Sequence, residues 1–192
     1  MKRLALFLGI LILFPSCTRY VCWIQRTFRQ AEQCDVCYAQ EAREFVRCQA
    51  IRDYLNTVDI IYVLWINSKV FKAHEGLMYG CLTDCEIVGR DLESVANFEK
   101  AQQEKTSFLV LMDGEQKDWS LTLEVGGKCY APKKILGTTL DRGYRGILGS
   151  HITSHQRNVY EVEFSQSVVG SDFSLQVFDG THKEVFCWCK EA

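Results

Sequence analysis

Ten cysteines in 192 residues are where chemistry would first be sought, and their spacing separates three uses of a thiol. Cys34-Asp35-Val36-Cys37 has the CxxC spacing shared by thiol–disulfide exchange enzymes and by half of a tetrahedral zinc site. In an exchange enzyme the motif follows a strand and opens a helix, whose N-terminal dipole favours the thiolate. Here a helix-like stretch precedes it and no βαβ pattern surrounds it, so catalysis by Cys34 and Cys37 ranks behind a structural use. A zinc site would join them to Cys81 and Cys85, or to Cys187 and Cys189, but those pairs are CxxxC and CxC rather than a second regular knuckle. His151 and His155 have the spacing of a helical ligand pair, yet Gly149, Ser150, Thr153 and Ser154 make their surroundings a loop without the glutamate of a zinc hydrolase. No metal and no other cofactor is expected.

Structural disulfides are the remaining use, with Cys34, Cys37, Cys48, Cys81, Cys85, Cys129, Cys187 and Cys189 as candidates. Cys187 and Cys189, two apart in a strand, point to one face and could staple the last strand to its neighbours, with Cys129 as a partner. The chain has no Gly-x-Ser-x-Gly elbow, phosphate-binding glycine loop or dinucleotide fingerprint, and its carboxylates form no defensible pair. No catalytic residue is assigned, and the chain is not expected to be an enzyme.

Such a cysteine density suits an oxidising compartment, and the N-terminus agrees. Lys2 and Arg3, the apolar run Leu4–Phe14, and the break at Pro15-Ser16-Cys17 have the layout of a signal peptide over residues 1–16. The run is shorter than the roughly 20 residues a bilayer-spanning helix needs. Leu13-Phe14-Pro15-Ser16-Cys17 resembles a bacterial lipobox, with a small residue immediately before the cysteine that takes the lipid; Phe14 and Pro15 depart from its usual pattern. That resemblance implies a mature chain starting at lipidated Cys17, held on a membrane of the bacterial cell envelope. With Cys17 so used, an odd number of thiols remains, which leaves at least one free or bonded to another molecule. No Asn-x-Ser/Thr sequon occurs, which disfavours a glycosylated secreted protein.

Loss of Lys2 and Arg3 with residues 1–16 takes the formal charge from −2 to −4, and a nucleic-acid partner is not expected because phosphate backbones are met by clustered positive charge. Lys128, Lys133, Lys134, Arg142, Arg145 and Arg157 are nevertheless gathered between 128 and 157 with only Asp141 against them. That segment could meet anionic lipid headgroups or an anionic envelope polymer, although solvated loops account for it as well. At 47% hydrophobic residues the chain has enough apolar area for one well-buried domain.

Several elements must position these groups. From Thr18 to about Asn56, helix formers without Gly or Pro and apolar residues at helical spacing predict one long amphipathic helix. In Val58–Ile66, β-branched and aromatic residues crowd into Ile60–Ile66 without a helical polar face and predict a buried central strand. Residues 68–88 give no assignable pattern, and Asp91–Lys105 predicts a mostly solvated helix. Ser107–Met112, Ser120–Val125, Lys128–Ala131, Tyr144–Leu148, Val159–Phe164, Phe173–Phe178 and Glu184–Trp188 read as short strands, with Gly126-Gly127 and Asp179-Gly180 as hairpin turns.

The expected fold is therefore α+β: an N-terminal long helix followed by an antiparallel immunoglobulin-like β-sandwich. Residues 1–16 form the signal peptide, 17–57 a lipid-anchored helical segment and 58–192 the mainly β domain. The mature chain loosely resembles small cysteine-rich envelope lipoproteins that reinforce the cell surface by disulfide cross-linking. This implies a non-enzymatic binding or structural role, with the membrane and another envelope protein as partners. The competing readings are an exported thiol–disulfide oxidoreductase using Cys34 and Cys37, and a secreted binding module or effector without lipid.

Overall fold

The computed structural model describes residues 39–53, 56–79, 94–112, 119–149, 158–178 and 180–189. In chain order the elements are α1 (39–43), β1 (Val46–Asp53), β2 (Asn56–Ile66), α2 (Ser68–Tyr79), α3 (94–102), β3 (Thr106–Met112) and β4 (Ser120–Val125). There follow β5 (Lys128–Tyr130), β6 (Lys134–Thr138), α4 (Arg142–Leu148), β7 (Asn158–Phe164), β8 (Phe173–Phe178) and β9 (Lys183–Trp188). The strands form two antiparallel sheets, one ordered β1-β2-β3-β7-β6 and the other β5-β4-β8-β9.

The period-2 alternation of strands explains the layering. Ile61 and Val63 of β2, Phe108 and Val110 of β3, and Val162 and Phe164 of β7 are buried in one cluster with Leu121, Leu123, Leu175, Val177, Phe186 and Trp188 of the second sheet. Their chain neighbours Leu64, Ile66, Leu109, Leu111 and Val159 point the other way, into a second cluster with Ala42 and Phe45, Val70, Ala73 and Leu77 of α2, and Ile147 of α4. The five-stranded sheet is thus covered on both faces. This is why β2 from Ile60 and β3 from Phe108 are continuously apolar, whereas β8 alternates buried Phe173, Leu175 and Val177 with half-buried Ser174 and Gln176. Each large side chain so buried contributes roughly 1.5–3 kcal/mol.

The turn chemistry is local. Gly126 and Gly127 have φ of 56° and 76°, the pair of positive values a two-residue hairpin requires, and they place Val125 opposite Lys128. The remaining hairpin of the second sheet sets Phe178 opposite Lys183.

Two expectations need correction, and one unassigned stretch gains an element. The long helix does not reach Asn56: residues 46–53 are strand β1, antiparallel to β2 from Val46↔Leu64 to Asp53↔Asn56. Helix-forming Arg47, Gln49 and Ala50 yield to the ladder that β2 offers and to burial of Ile51 between the sheets. This segment therefore belongs to the β domain rather than to a separate helical piece ending at 57; residues 17–38 lie outside the described residues. Tyr144–Leu148, expected as a strand, is most of α4. Asp141 caps that helix by accepting a hydrogen bond from Tyr144 N at 2.9 Å on its Oδ1, and Gly149 N closes the last turn on Arg145 O. Finally, the unassigned stretch begins with α2, capped by buried Asn67, whose Oδ1 accepts from Val70 N at 2.9 Å.

Helix α3 lies where a solvated helix was expected. It attaches by a stacked Phe71–Phe98 pair at 4.4 Å and by Gln102 Nε2 donating to Ile66 O. Just beyond it, Lys105 Nζ donates to Glu163 Oε2 at 2.7 Å, and this hydrogen bond is the main cause holding the Glu163 carboxyl below its usual range; partial burial opposes it, and Lys105, Lys133 and Lys134 add Coulombic support. A carboxyl whose folded pKa is depressed stabilises the fold above its unfolded value of about 4.3 and loses that contribution as pH falls through the folded value. Lys105→Met is accordingly expected to destabilise the protein at neutral pH by no more than about 1 kcal/mol, since the Lys105 side chain is 44% exposed. Chemical denaturation at neutral and at acidic pH checks this: the difference between variant and wild type should shrink on acidification. A gap of constant size would show that the ion pair is not its source.

Candidate functional site

The four cysteines in described residues, Cys48, Cys129, Cys187 and Cys189, are all exposed free thiols. Cysteine is among the residue types most often fully buried, so this placement is unusual. Cys48 lies on β1, Cys129 on β5 and Cys187 on β9, and each of these strands is an edge of its sheet. In β9 the inward residues Phe186 and Trp188 are buried while Cys187 and, just past the strand, Cys189 are exposed. The expected common face of Cys187 and Cys189 is therefore present, and it is the outer one.

The suggested pairing of Cys129 with Cys187 or Cys189 does not occur. β5 and β9 are the opposite edges of the four-stranded sheet, so three strand spacings, about 14 Å, separate them where a disulfide tolerates at most about 7 Å between Cα atoms. Cys187 and Cys189 are not bridged to each other either; both are free thiols. Trp188 between them anchors the strand. Its ring stacks on Phe173 at 5.2 Å and 13°, its Nε1 donates to Phe45 O at 3.1 Å, and the Arg47 guanidinium lies 5.4 Å from its centre. Arg47 Nε also donates to Cys187 O at 2.9 Å, tying β1 to β9 across the two sheets.

Where β2 runs into α2 there is a cavity of about 230 Å³, walled by Trp65 and Phe173, with Lys69, Val169, Ser171 and Cys189 also in its lining. Val169 sits on the turn between β7 and β8, which Ser171 N closes on Val168 O, and is 60% exposed. Trp65 packs edge-on against Phe173 at 4.8 Å and Phe45 at 5.5 Å, and its buried Nε1 has no acceptor among the described residues.

A third constellation joins α2 to α4. His74 Nε2 is 2.9 Å from Asp141 Oδ2 and its Nδ1 is 3.4 Å from Glu75 Oε1, while its ring lies 4.1 Å from that of Tyr144. Burial, then the carboxylates of Asp141, Glu161 and Glu75, push the Tyr144 phenol far above its ordinary value, so it stays neutral. A histidine oriented by a carboxylate is two parts of a triad, but the hydrogen bonds of His74 among the described residues go only to carboxylates and none to a hydroxyl or thiol. The group works as a clip between helices. Arg43 adds to it, its Nε donating to Ile147 O at 3.1 Å.

The other residues singled out in the sequence fall as follows. Cys17, Cys34, Cys37, Cys81, Cys85, His151, His155 and Arg157 lie outside the described residues. Lys133 and Lys134 flank Glu163, and Arg145 donates to Leu140 O, so these members of the basic segment have partners within the fold. Among the described residues no three His, Cys, Asp or Glu side chains are grouped to hold a metal ion, and no helix is long and apolar enough to cross a membrane. Neither the cavity nor the His74 clip was found from sequence. Asp141, three residues before Tyr144, was a capping signal, but Gly143 and Gly146 masked it. The chain matches no protein-family model, and no curated protein matches it in sequence.

Proposed function

We propose that this chain is an exported, lipid-anchored bacterial envelope protein whose β-sandwich, of immunoglobulin-like class with helices laid on one outer face, presents thiols for disulfide cross-links to other envelope molecules. The observation that carries this reading is that three different edge strands, β1, β5 and β9, each bear an exposed unpaired cysteine. An edge strand is where a second chain approaches most closely. An exposed thiol in an oxidising compartment is open to thiol–disulfide exchange. The Lys2–Cys17 segment supplies the export signal and Cys17 the anchor; a lipid-modified N-terminus would hold a domain of net negative charge at the membrane without a basic patch, because each buried CH₂ contributes roughly 0.8 kcal/mol. Each cross-link joins two thiols, releases two protons and passes two electrons to an exported thiol oxidase or to a disulfide that is reduced in exchange.

The test uses the full chain expressed in a bacterial host, with thiols trapped by alkylation at harvest. Non-reducing electrophoresis should show high-mass species that collapse on reduction and that are lost when Cys48, Cys129, Cys187 and Cys189 are all replaced by serine. Fatty-acid labelling should mark the wild type, and Cys17→Ser should abolish the label and leave an uncleaved precursor. Four fully alkylatable thiols in the exported protein, or a mature N-terminus other than Cys17, would overturn the corresponding half of the proposal.

A further inference from the structure

We propose that the cavity at the start of α2 is a covalent capture site for a small carboxylate-bearing disulfide, with Cys189 as the sulfur that takes it. The inference rests on the reading above in one respect, that the exposed thiols meet disulfides outside the cytosol. The step is a thiol–disulfide exchange: the Cys189 thiol gives its proton to water, and the thiolate attacks one sulfur of R–S–S–R. A bond forms from Cys189 to that sulfur, the original S–S bond breaks, and RS⁻ leaves with the electron pair. No further oxidant is required, because the incoming disulfide is itself reduced.

The lining decides which disulfide. At about 230 Å³ the space accepts one ring or a short peptide-like arm rather than a folded partner. Its walls include two aromatic rings, Trp65 and Phe173, with Val169 exposed, which favours an R group having an apolar face. Two features favour an acceptor on that group. Lys69 belongs to the lining, and the cavity sits at the N-terminal, positive end of the twelve-residue α2. Against these stands the carboxylate of Glu44, whose Oε1 is 3.3 Å from Lys69 Nζ. Cys187, two residues away on the same strand, is not in the lining, and neither are Cys48 and Cys129. They are exposed thiols outside this cavity, and so serve as references within the same molecule.

The reduced chain is exposed separately to dithiobis-nitrobenzoate, an aromatic disulfide bearing carboxylates, and to cystamine, which is cationic. The reaction is quenched with acid, and modification at each cysteine is read by peptide mass spectrometry. With the anionic reagent Cys189 should react about tenfold faster than Cys129, and with cystamine that ratio should fall to near one. Val169→Asp, at an exposed turn and harmless to the fold, should slow Cys189 towards the anionic reagent and leave Cys129 unchanged. Lys69→Met should do the same, and Glu44→Gln the opposite. Equal rates at Cys189 and Cys129, or a Cys189 advantage that is the same for both reagents and insensitive to Val169→Asp, would overturn the assignment. The cross-linking proposal fails or stands separately, on the high-mass species in cells: their absence alongside a selective Cys189 would remove that reading and keep this site.

Discussion

Replacing Trp188 by alanine is expected to cost the fold about 3–5 kcal/mol, the range for deleting a large aromatic from a packed interior. The side chain is 2% exposed and meets four separate parts of the chain. It stacks on Phe173 of its own sheet, tilts against Phe108 of the other sheet at 5.5 Å, donates to Phe45 O beyond α1, and lies under the Arg47 guanidinium of β1. Alanine removes all four contacts and leaves the Phe45 carbonyl without this donor. Trp188→Phe separates the parts: the ring stacking survives, while the hydrogen bond, worth about 1 kcal/mol, is lost. Urea unfolding of both variants checks the order, with alanine far below phenylalanine and phenylalanine modestly below wild type. An alanine variant within about 1 kcal/mol of wild type would show that the β1–β9 side of the molecule is not held by this residue.

Trp188 also shows why much of the fold was legible and some of it was not. A strand buried on one face writes its environment into every second residue. Glu184–Trp188, Phe173–Phe178 and Ser120–Val125 could therefore be read directly, and β2, buried on both faces, announced itself by the unbroken apolar run Ile60–Ile66. β1 carries no such record. It is an edge strand with exposed Cys48 and Gln49, Ile51 is its fully buried core residue among those described, and its Arg, Gln and Ala residues are good helix formers. Its state is decided by the partner strand β2, a contact that local propensity does not encode. The candidate site was legible to the same degree. That Cys187 and Cys189 share a face followed from strand periodicity. That Cys129 is on the far edge of the same sheet depends on strand order, and the cavity beside Cys189 depends on a turn near 169 meeting the start of α2. His74 and Asp141 are 67 residues apart and meet only because two helices pack.

That helix packing supports the second large effect, a reversal of an ordinary rule. Gly→Ala inside a helix usually stabilises by about 1 kcal/mol, because alanine has the better propensity. At Gly143 in α4 the sign should be opposite. A Cβ there would lie 2.5 Å from His74 Cδ2, 2.9 Å from its Nε2 and 3.0 Å from Met78 Cγ, all side-chain atoms of α2. The Met78 chain is flexible and 38% exposed, so it can yield. The His74 ring cannot easily do so, because Asp141 and Glu75 hold its two nitrogens and Tyr144 lies against its face. Relief requires either separating α4 from α2 or breaking the His74–Asp141 contact, and overpacking of this kind costs about 1–3 kcal/mol. Gly146, three residues on, is a graded control: its Cβ would meet Leu77 Cδ1 at 3.1 Å, the end of a branched chain that can rotate, so Gly146→Ala should cost less. A double-mutant cycle isolates the cause. His74→Ala alone loses the clip, but combined with Gly143→Ala it should cost less than the two single losses added together, by about 1 kcal/mol or more, because the second methyl then enters space the ring has vacated. Thermal or urea unfolding of the four proteins measures this coupling. A stabilising Gly143→Ala, or strictly additive losses, would mean that α2 and α4 are not held at this distance by the glycine.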